Sequence, residues 1–388
     1  MSMRDIRTCR TCLMPSSRPR VVFDETGQCN ACSYLAGPYK QIDWAARKKE
    51  FECLIDRMRR PGSPYDVIVP MSGGKDSATI AHRLKYEYGL NPLGVCYGQL
   101  IWTDVGYRNF QRVAEHIDIA YWRVNQSVSR KLARRFFFNR GHPKKAYDSA
   151  VCCVPLHEAI YRDIPLVCWA EFGEGFYGGH VLSPESYRTR NFAEVVENIV
   201  SDDAVNWSCD GLSERDVFPY THPKMADIQR VGVEGHYFSY YHPWSIYENA
   251  RYARDKMGFE TAWADDGYSI DIGGDIWHGR SDGSLESYDS LDDAIDDADY
   301  FLMGIKFLFG RATRMASRLI QSGHMTRERG LQLVRQFDGE YPRRYMPEIL
   351  DYLGVTKAEF DAVVDKHRNA ELWMKKDDGS WTPRFSPQ

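Results

Sequence analysis

The chain has 388 residues, 43% apolar and 27% charged, the make-up of a globular protein with two domains or one domain with appendages. Its net charge of −4 and pI near 6.3 argue against a dominant nucleic-acid surface, although Arg130, Lys131, Arg134 and Arg135 form a local basic cluster. It has no apolar run of about 18 residues to span a bilayer, and MSMRDIRTCRTC lacks the apolar centre of a secretory signal, so a cytoplasmic chain with no membrane partner is expected.

Cysteines in such a compartment read as metal ligands and free thiols rather than disulfides. Four of them form two close pairs, Cys9-Arg10-Thr11-Cys12 and Cys29-Asn30-Ala31-Cys32. This spacing reads as a zinc ribbon over residues 1–42, with a short hairpin bringing two CxxC turns to one Zn²⁺ in a closed S₄ site, Zn–S near ~2.3 Å. An iron–sulfur cluster or sulfur-shuttling pairs are the alternatives. So short a segment has no core of its own, and the metal would supply its folding energy. Of the remaining six cysteines, Cys96 and Cys168 sit in apolar runs and read as core. The doublet Cys152-Cys153 either packs or carries a reactive thiol. Cys53 and Cys209 carry no signal.

Residues 44–60 read as a helix, with Trp44, Phe51, Leu54, Ile55 and Met58 at helical spacing and Pro61-Gly62 closing it. Strand 66–71 follows, then Ser72-Gly73-Gly74-Lys75-Asp76-Ser77, then a helix over 76–88. A strand that delivers two glycines into a turn, with a helix starting behind it, aims unpaired N–H groups and a positive dipole end at an anion. Lys75 adds a point charge for phosphate, and Asp76 is a ligand for Mg²⁺. The turn is not a Walker loop, since GxxxxGK[ST] is missing. SGGKDS instead resembles the PP-loop of the ATP pyrophosphatases, which split ATP between its α- and β-phosphates. That likeness implies ATP contacts from Ser72, Gly73, Gly74, Lys75, Asp76 and Ser77.

Further on, strand 92–97 precedes helix 105–117, strand 119–124 precedes helix 127–138, and IPLVCWA, 164–170, reads as another strand. The βαβ alternation predicts an α/β fold with a doubly wound parallel sheet and the ligand at the carboxyl edge of its strands. Residues 178–290 are irregular and rich in aromatics and glycine; within them the stretch 234–260 ends as a helix with Tyr247, Ala250 and Ala253 inward. The domain of residues 43–290 thus carries an irregular insert, and residues 291–388 form a helical C-terminal region. There SLDDAIDDAD starts an acidic helix, and helices follow over 298–309, 311–322, 326–337, 342–353 and 356–368. Thr326 and Thr356 are their cap signals.

Together, CRTC and CNAC, SGGKDS, Thr103-Asp104-Val105-Gly106 with Asn109, Trp169-Ala170-Glu171, YHPW, KFLFGRAT and DGEYPRRY resemble the N-acetyl sugar amidotransferases of bacterial surface-polysaccharide pathways. The likeness covers nearly the whole chain. It implies a PP-loop, adenine nucleotide alpha hydrolase-like fold, with ATP, Mg²⁺ and Zn²⁺ as cofactors and an enzyme that converts a sugar's acetamido group to an acetamidino group. The sugar is typically nucleotide-linked, and glutaminase and synthase-like partner subunits supply ammonia. It further implies a catalytic set of Lys75, Asp76 and Glu171, with Glu171 toward Mg²⁺ or ammonia. Thr103, Asn109, Lys306 and Arg311 are implied at substrate or phosphate. Lys306 and Arg311 lie about one helical turn apart, so they could share a face. The chain departs from the family pattern in two places. KFGFGRATDD appears as KFLFGRATRM, with Leu308 for glycine and Arg314-Met315 for two acids, and WGEN appears as Trp169-Ala170-Glu171-Phe172. A sulfur transferase using the same adenylation, with Cys152 or Cys153 as carrier, is the competing enzyme. A zinc-ribbon scaffold with a relic nucleotide fold is the competing non-enzyme.

Overall fold

The computed structural model describes residues 6–196, 207–208, 211–262 and 267–386; Cys209 lies outside them. Its centre is a five-stranded parallel sheet of β1 (Val67–Met71), β2 (Pro92–Tyr97), β3 (Asp118–Trp122), β4 (Leu166–Trp169) and β5 (Glu234–Tyr237), in the order β3-β2-β1-β4-β5. The chain winds outward from β1 to β3 and then returns to β1's other side with β4. This creates a topological switch between β1 and β4, where open α/β sheets bind ligands.

Alternate residues of β1 serve opposite faces, as a doubly covered strand requires. Ile68 packs with Leu93, Val95 and Tyr97 beneath the helices Gln126–Arg140 and Lys145–Arg162. Val67, Val69 and Met71 pack the other way, under Trp44–Met58, Lys75–Tyr86 and Ile246–Met257. Tyr247, Ala250 and Ala253 of the last helix are buried, as their spacing predicts. The helices Ile295–Phe307, Arg311–Gln321, Arg327–Phe337, Met346–Leu353 and Lys357–His367 follow the expected C-terminal pattern, with Thr326 and Thr356 at their N-caps. They are not a detached layer: Leu302, Ile349 and Phe360 share the core of Ile68 and Phe137.

Three elements differ from the pattern read in the sequence. Lys145–Arg162 is a helix although Pro155 lies inside it. β5 is a strand within a stretch that lacks β-branched residues. Between the Ile246–Met257 helix and the C-terminal helices, β6 (Ser269–Ile272) and β7 (Asp275–His278) form an antiparallel hairpin, turned by Gly273 and Gly274 at positive φ. The basic cluster is committed locally. Arg130 binds Asp351, Arg134 donates to the carbonyls of Leu353 and Gly354 at the end of the Met346–Leu353 helix, and Arg135 also has partners.

The front segment is tied down by the cysteines. Around them are isolated bridges, Thr8 to Pro15 and Phe23 to Cys29, in place of a regular hairpin, and the second CxxC runs into the helix Asn30–Ala36. No helix among the described residues is long and apolar enough to cross a membrane.

Candidate active site

β1 ends in the SGGKDS turn, and the helix Lys75–Tyr86 begins behind it with Gly74 as N-cap and no side-chain cap bond. Gly73 sits at φ +98°, where a side chain would be strained and its Cβ would press on Trp102 and Phe110. The six residues 72–77 line a cavity of about 340 Å³ at the carboxyl edge of β1 and β4. Val95, Tyr97, Tyr147 and Trp169 form its apolar wall, and Trp277, Tyr288 and Arg254 face it from the insert.

The cavity also holds a strap the sequence shows only as an acidic helix start. Residues 284–294 lie over the turn, and their carboxylates point inward. Asp289 binds Lys75 Nζ at 2.5 Å and also pairs with Arg314. Asp292 accepts from Gln99 Nε2 at 2.7 Å, and Asp293 accepts from the N–H groups of Leu100 and Ile101. Gly106 allows this approach, because a Cβ there would lie 2.4 Å from Asp292 Cα. Lys75 is consequently buried, 5% exposed, with Asp76 Oδ2 at 2.9 Å as its second partner. Burial opposes its charge, yet Asp289 and Asp76 outweigh burial and hold its pKa above the usual lysine value. Burial likewise opposes the charge of Asp289, and Arg314 and Lys75 hold it well below the usual carboxylate range.

The other sequence-derived residues divide. Asp76 stands at the cavity with its second oxygen bound by Asn249 Nδ2 at 2.8 Å; such an oxygen ligand suits Mg²⁺. Glu171, just beyond β4, accepts from Tyr177 Oη at 2.9 Å. Burial pushes its carboxyl up, and the charge of Asp76 adds to this, so the two carboxylates are electrostatic neighbours. Asn109 lines the cavity with its amide bound to the backbone of Glu260 on both sides, which fixes that wall. Thr103 caps the helix Asp104–Ala114 and donates to Leu291 O, so it anchors the strap. Arg311 is buried against Asp297 at 2.8 Å and donates to Asp289 O at 2.6 Å, bracing the strap from behind. Lys306 donates to Gly141 O at 2.8 Å and does not line this cavity; it does not share a site with Arg311. Asp289 and Asp292 were not legible as site residues, and Arg314 stood out only as a departure from the family pattern. An acidic run before a helix normally reads as a solvated first turn.

Cys152 and Cys153 are buried in the helix Lys145–Arg162, and Arg190 donates to Cys152 Sγ at 3.0 Å. Burial pushes both thiols up despite Arg190, the opposite of what an attacking thiolate needs.

The sulfurs of Cys9, Cys12, Cys29 and Cys32 all lie within 4.8 Å of one another, buried. Cys9 to Cys32 is 3.9 Å and Cys12 to Cys29 is 3.8 Å. A tetrahedron with Zn–S near 2.3 Å has edges of about 3.8 Å, so the donor set fits zinc. Backbone N–H groups of Cys29 and Met14 and the amide of Gln321 point at the sulfurs, as thiolates demand. Four protein ligands would leave a bound zinc no open position.

Residues 283–385 match a family model, "LPS biosynthesis protein WbpG-like, C-terminal domain". The matched part begins at the strap that carries Asp289 and contains Arg311 and Arg314. The chain is also 29% identical over 82 residues, 21% of its length, to "Uncharacterized protein MJ1599" of Methanocaldococcus jannaschii. That match spans 30% of the relative's own length.

Proposed function

We propose that this chain works in lipopolysaccharide biosynthesis as an ATP-dependent amidotransferase. It adenylates the acetamido oxygen of a nucleotide-linked sugar and replaces that oxygen with ammonia. The observation that carries the reading is the SGGKDS turn at the β1–β4 switch, in the wall of a cavity that the WbpG-like part of the chain closes.

An amide carbon is a poor electrophile and its oxygen a poor leaving group, and adenylation removes both obstacles. The amide oxygen attacks the α-phosphorus of ATP, and pyrophosphate leaves with the electron pair of the broken P–O bond. Ammonia adds to the resulting imidate carbon, one proton is lost from the added nitrogen, and AMP departs with the former amide oxygen to leave the amidinium cation. The chain's part is to position and to stabilise charge. The N–H groups of the turn and Lys75 face the departing pyrophosphate, and the turn's glycines admit it closely. Asp289 holds Lys75 at the turn until phosphate takes its place. A Mg²⁺ held by Asp76 would neutralise charge on the phosphates. Glu171, with its raised carboxyl, takes the proton that the attacking nitrogen sheds. Ammonia would come from a glutaminase–synthase pair of partner subunits. The buried, protonated Cys152 and Cys153 give no support to sulfur transfer.

The test is incubation with ATP, Mg²⁺, ammonium and a UDP-N-acetyl sugar. AMP, pyrophosphate and a product lighter by the difference between O and NH are expected. ADP as the nucleotide product, or a product heavier by the difference between S and O, would contradict the reading.

A further inference from the structure

Beside the cavity of the SGGKDS turn lies a second and larger one, about 670 Å³, within the size range of ligand pockets. Three separate parts of the chain build it. The four-cysteine segment supplies Arg18, the segment after β4 supplies Glu171 and Arg190, and the Arg311–Gln321 helix supplies Arg314 and Arg318. Arg314 lines both cavities. Trp169 and Ala170 face the first while the next residue, Glu171, faces the second, so the two spaces meet at the end of β4.

The charge of this second space is out of balance. Arg18, Arg20, Arg190, Arg314 and Arg318 face it with two carboxylates, Glu171 and Glu174; Arg20 is paired with Glu174 at 3.4 Å and Arg314 with Asp289, which leaves Arg18, Arg190 and Arg318 against Glu171. Nη1 of Arg18 and Nε of Arg318 are buried with no hydrogen-bond partner among the described residues. Their guanidinium groups lie over aromatic rings, Arg18 on Phe309 at 5.6 Å and Arg318 on Tyr177 at 3.6 Å, which holds them in place without satisfying their N–H groups. Burial depresses the pKa of Arg18, the mark of a cation short of counter-charge. Buried guanidinium N–H groups are costly unless an oxyanion meets them, and their planar forks suit phosphoryl and carboxylate groups.

We infer that the second cavity is the acceptor site, and that it takes an acceptor carrying an oxyanion, phosphoryl or carboxylate, which Arg18 and Arg318 bind. The assignment of an acceptor rests on the adenylation reading above. An acceptor so anchored sends its uncharged end past Glu171 and Arg314 toward the ATP cavity. It also gives the four-cysteine segment a second consequence: its fold sets the position of Arg18.

Calorimetric titration of the full-length, zinc-loaded protein decides this. The probes are UDP-N-acetylglucosamine, N-acetylneuraminate and neutral N-acetylglucosamine. One charged probe is expected to bind and the neutral sugar not. Binding of the UDP sugar assigns the oxyanion to phosphoryl, and binding of N-acetylneuraminate to carboxylate. Arg318→Gln and Arg18→Gln should each weaken the charged probe about tenfold or more, the loss of one charge-assisted contact, with ATP affinity unchanged. Arg318→Lys, which keeps the charge, should recover part of the loss. If Arg18→Gln fails to fold, the Arg318 pair alone decides. Equal binding of neutral and charged probes, failure of both charged probes, or unchanged affinity in Arg318→Gln would overturn the inference. These titrations need no turnover, so an absence of AMP formation would count against the adenylation reading while leaving the oxyanion result standing.

Discussion

At the scale of single residues, Lys75 shows how far a motif can be read and where it stops. Its place in the turn was legible from two glycines between a strand and a helix. Its burial was not, because its partner Asp289 lies far along the chain in a run that looks solvated. Lys75→Ala should therefore abolish AMP release and also cost stability, about 2 kcal/mol, since the buried Asp289 loses one of its two ion-pair partners and keeps Arg314. Denaturant unfolding alongside the assay checks both. Glu171→Gln should slow amidine formation more than ATP binding. In the unaltered protein the acid limb of activity should lie above the usual carboxylate range, because the base must be ionised and burial raises its pKa; the Gln variant should lose that limb. Cys152→Ser and Cys153→Ser should stay active, and a folded but inactive serine variant would favour a thiol carrier instead. Leu308 ends the Ile295–Phe307 helix at φ +49°, in the left-handed region that glycine prefers. Leu308→Gly should raise stability by up to about 1 kcal/mol, less what the half-buried side chain contributes.

At the scale of elements, periodicity was a good guide where one face meets a core, as in Trp44–Met58 and the C-terminal helices, and failed where a local rule was overridden. Pro155 argues against a helix, yet thirteen residues of Lys145–Arg162 are buried, and packing outweighs the lost hydrogen bond. β5 was missed because Glu234, Gly235, His236 and Tyr237 carry no apolar alternation; pairing with β4 makes it a strand. His142, between two long helices, bonds Asp299 of the Ile295–Phe307 helix at 2.7 Å and Asp148 at 3.1 Å. Burial opposes its charge, but the two aspartates overcome that and push its pKa up to about 10. A pKa higher in the folded than in the unfolded chain means that the imidazolium's contribution is complete below about pH 6.5 and fades as pH approaches about 10. Unfolding free energy measured across that window should fall, and His142→Gln should flatten the fall. Arg327 of the Arg327–Phe337 helix donates to the carbonyls of Cys9 and Cys12. Stripping the metal, or Cys29→Ser, should therefore loosen that helix as well as the ribbon, read as faster amide exchange in both. Iron in elemental analysis would contradict zinc.

At the scale of the whole molecule, three parts of the chain converge on one edge of the sheet. The SGGKDS turn lines the first cavity, the strap of residues 284–294 closes it, and the four-cysteine segment with the Arg311–Gln321 helix walls the space beside it. The parallel sheet, the turn and the cysteine set were legible because each is local in sequence. The strap and the second cavity were not, because they exist only once distant segments meet. If ammonia comes from a separate glutaminase, as proposed, the isolated protein should use ammonium but not glutamine, and glutamine use should appear only when such a glutaminase is added. The central claim is that ATP activates an amide oxygen and that this oxygen leaves on AMP. Turnover of a UDP-N-acetyl sugar labelled with ¹⁸O in its acetamido carbonyl tests it most directly. The account predicts the label in AMP, with unlabelled pyrophosphate and an amidine product; label retained in the sugar, or ADP in place of AMP, would contradict it.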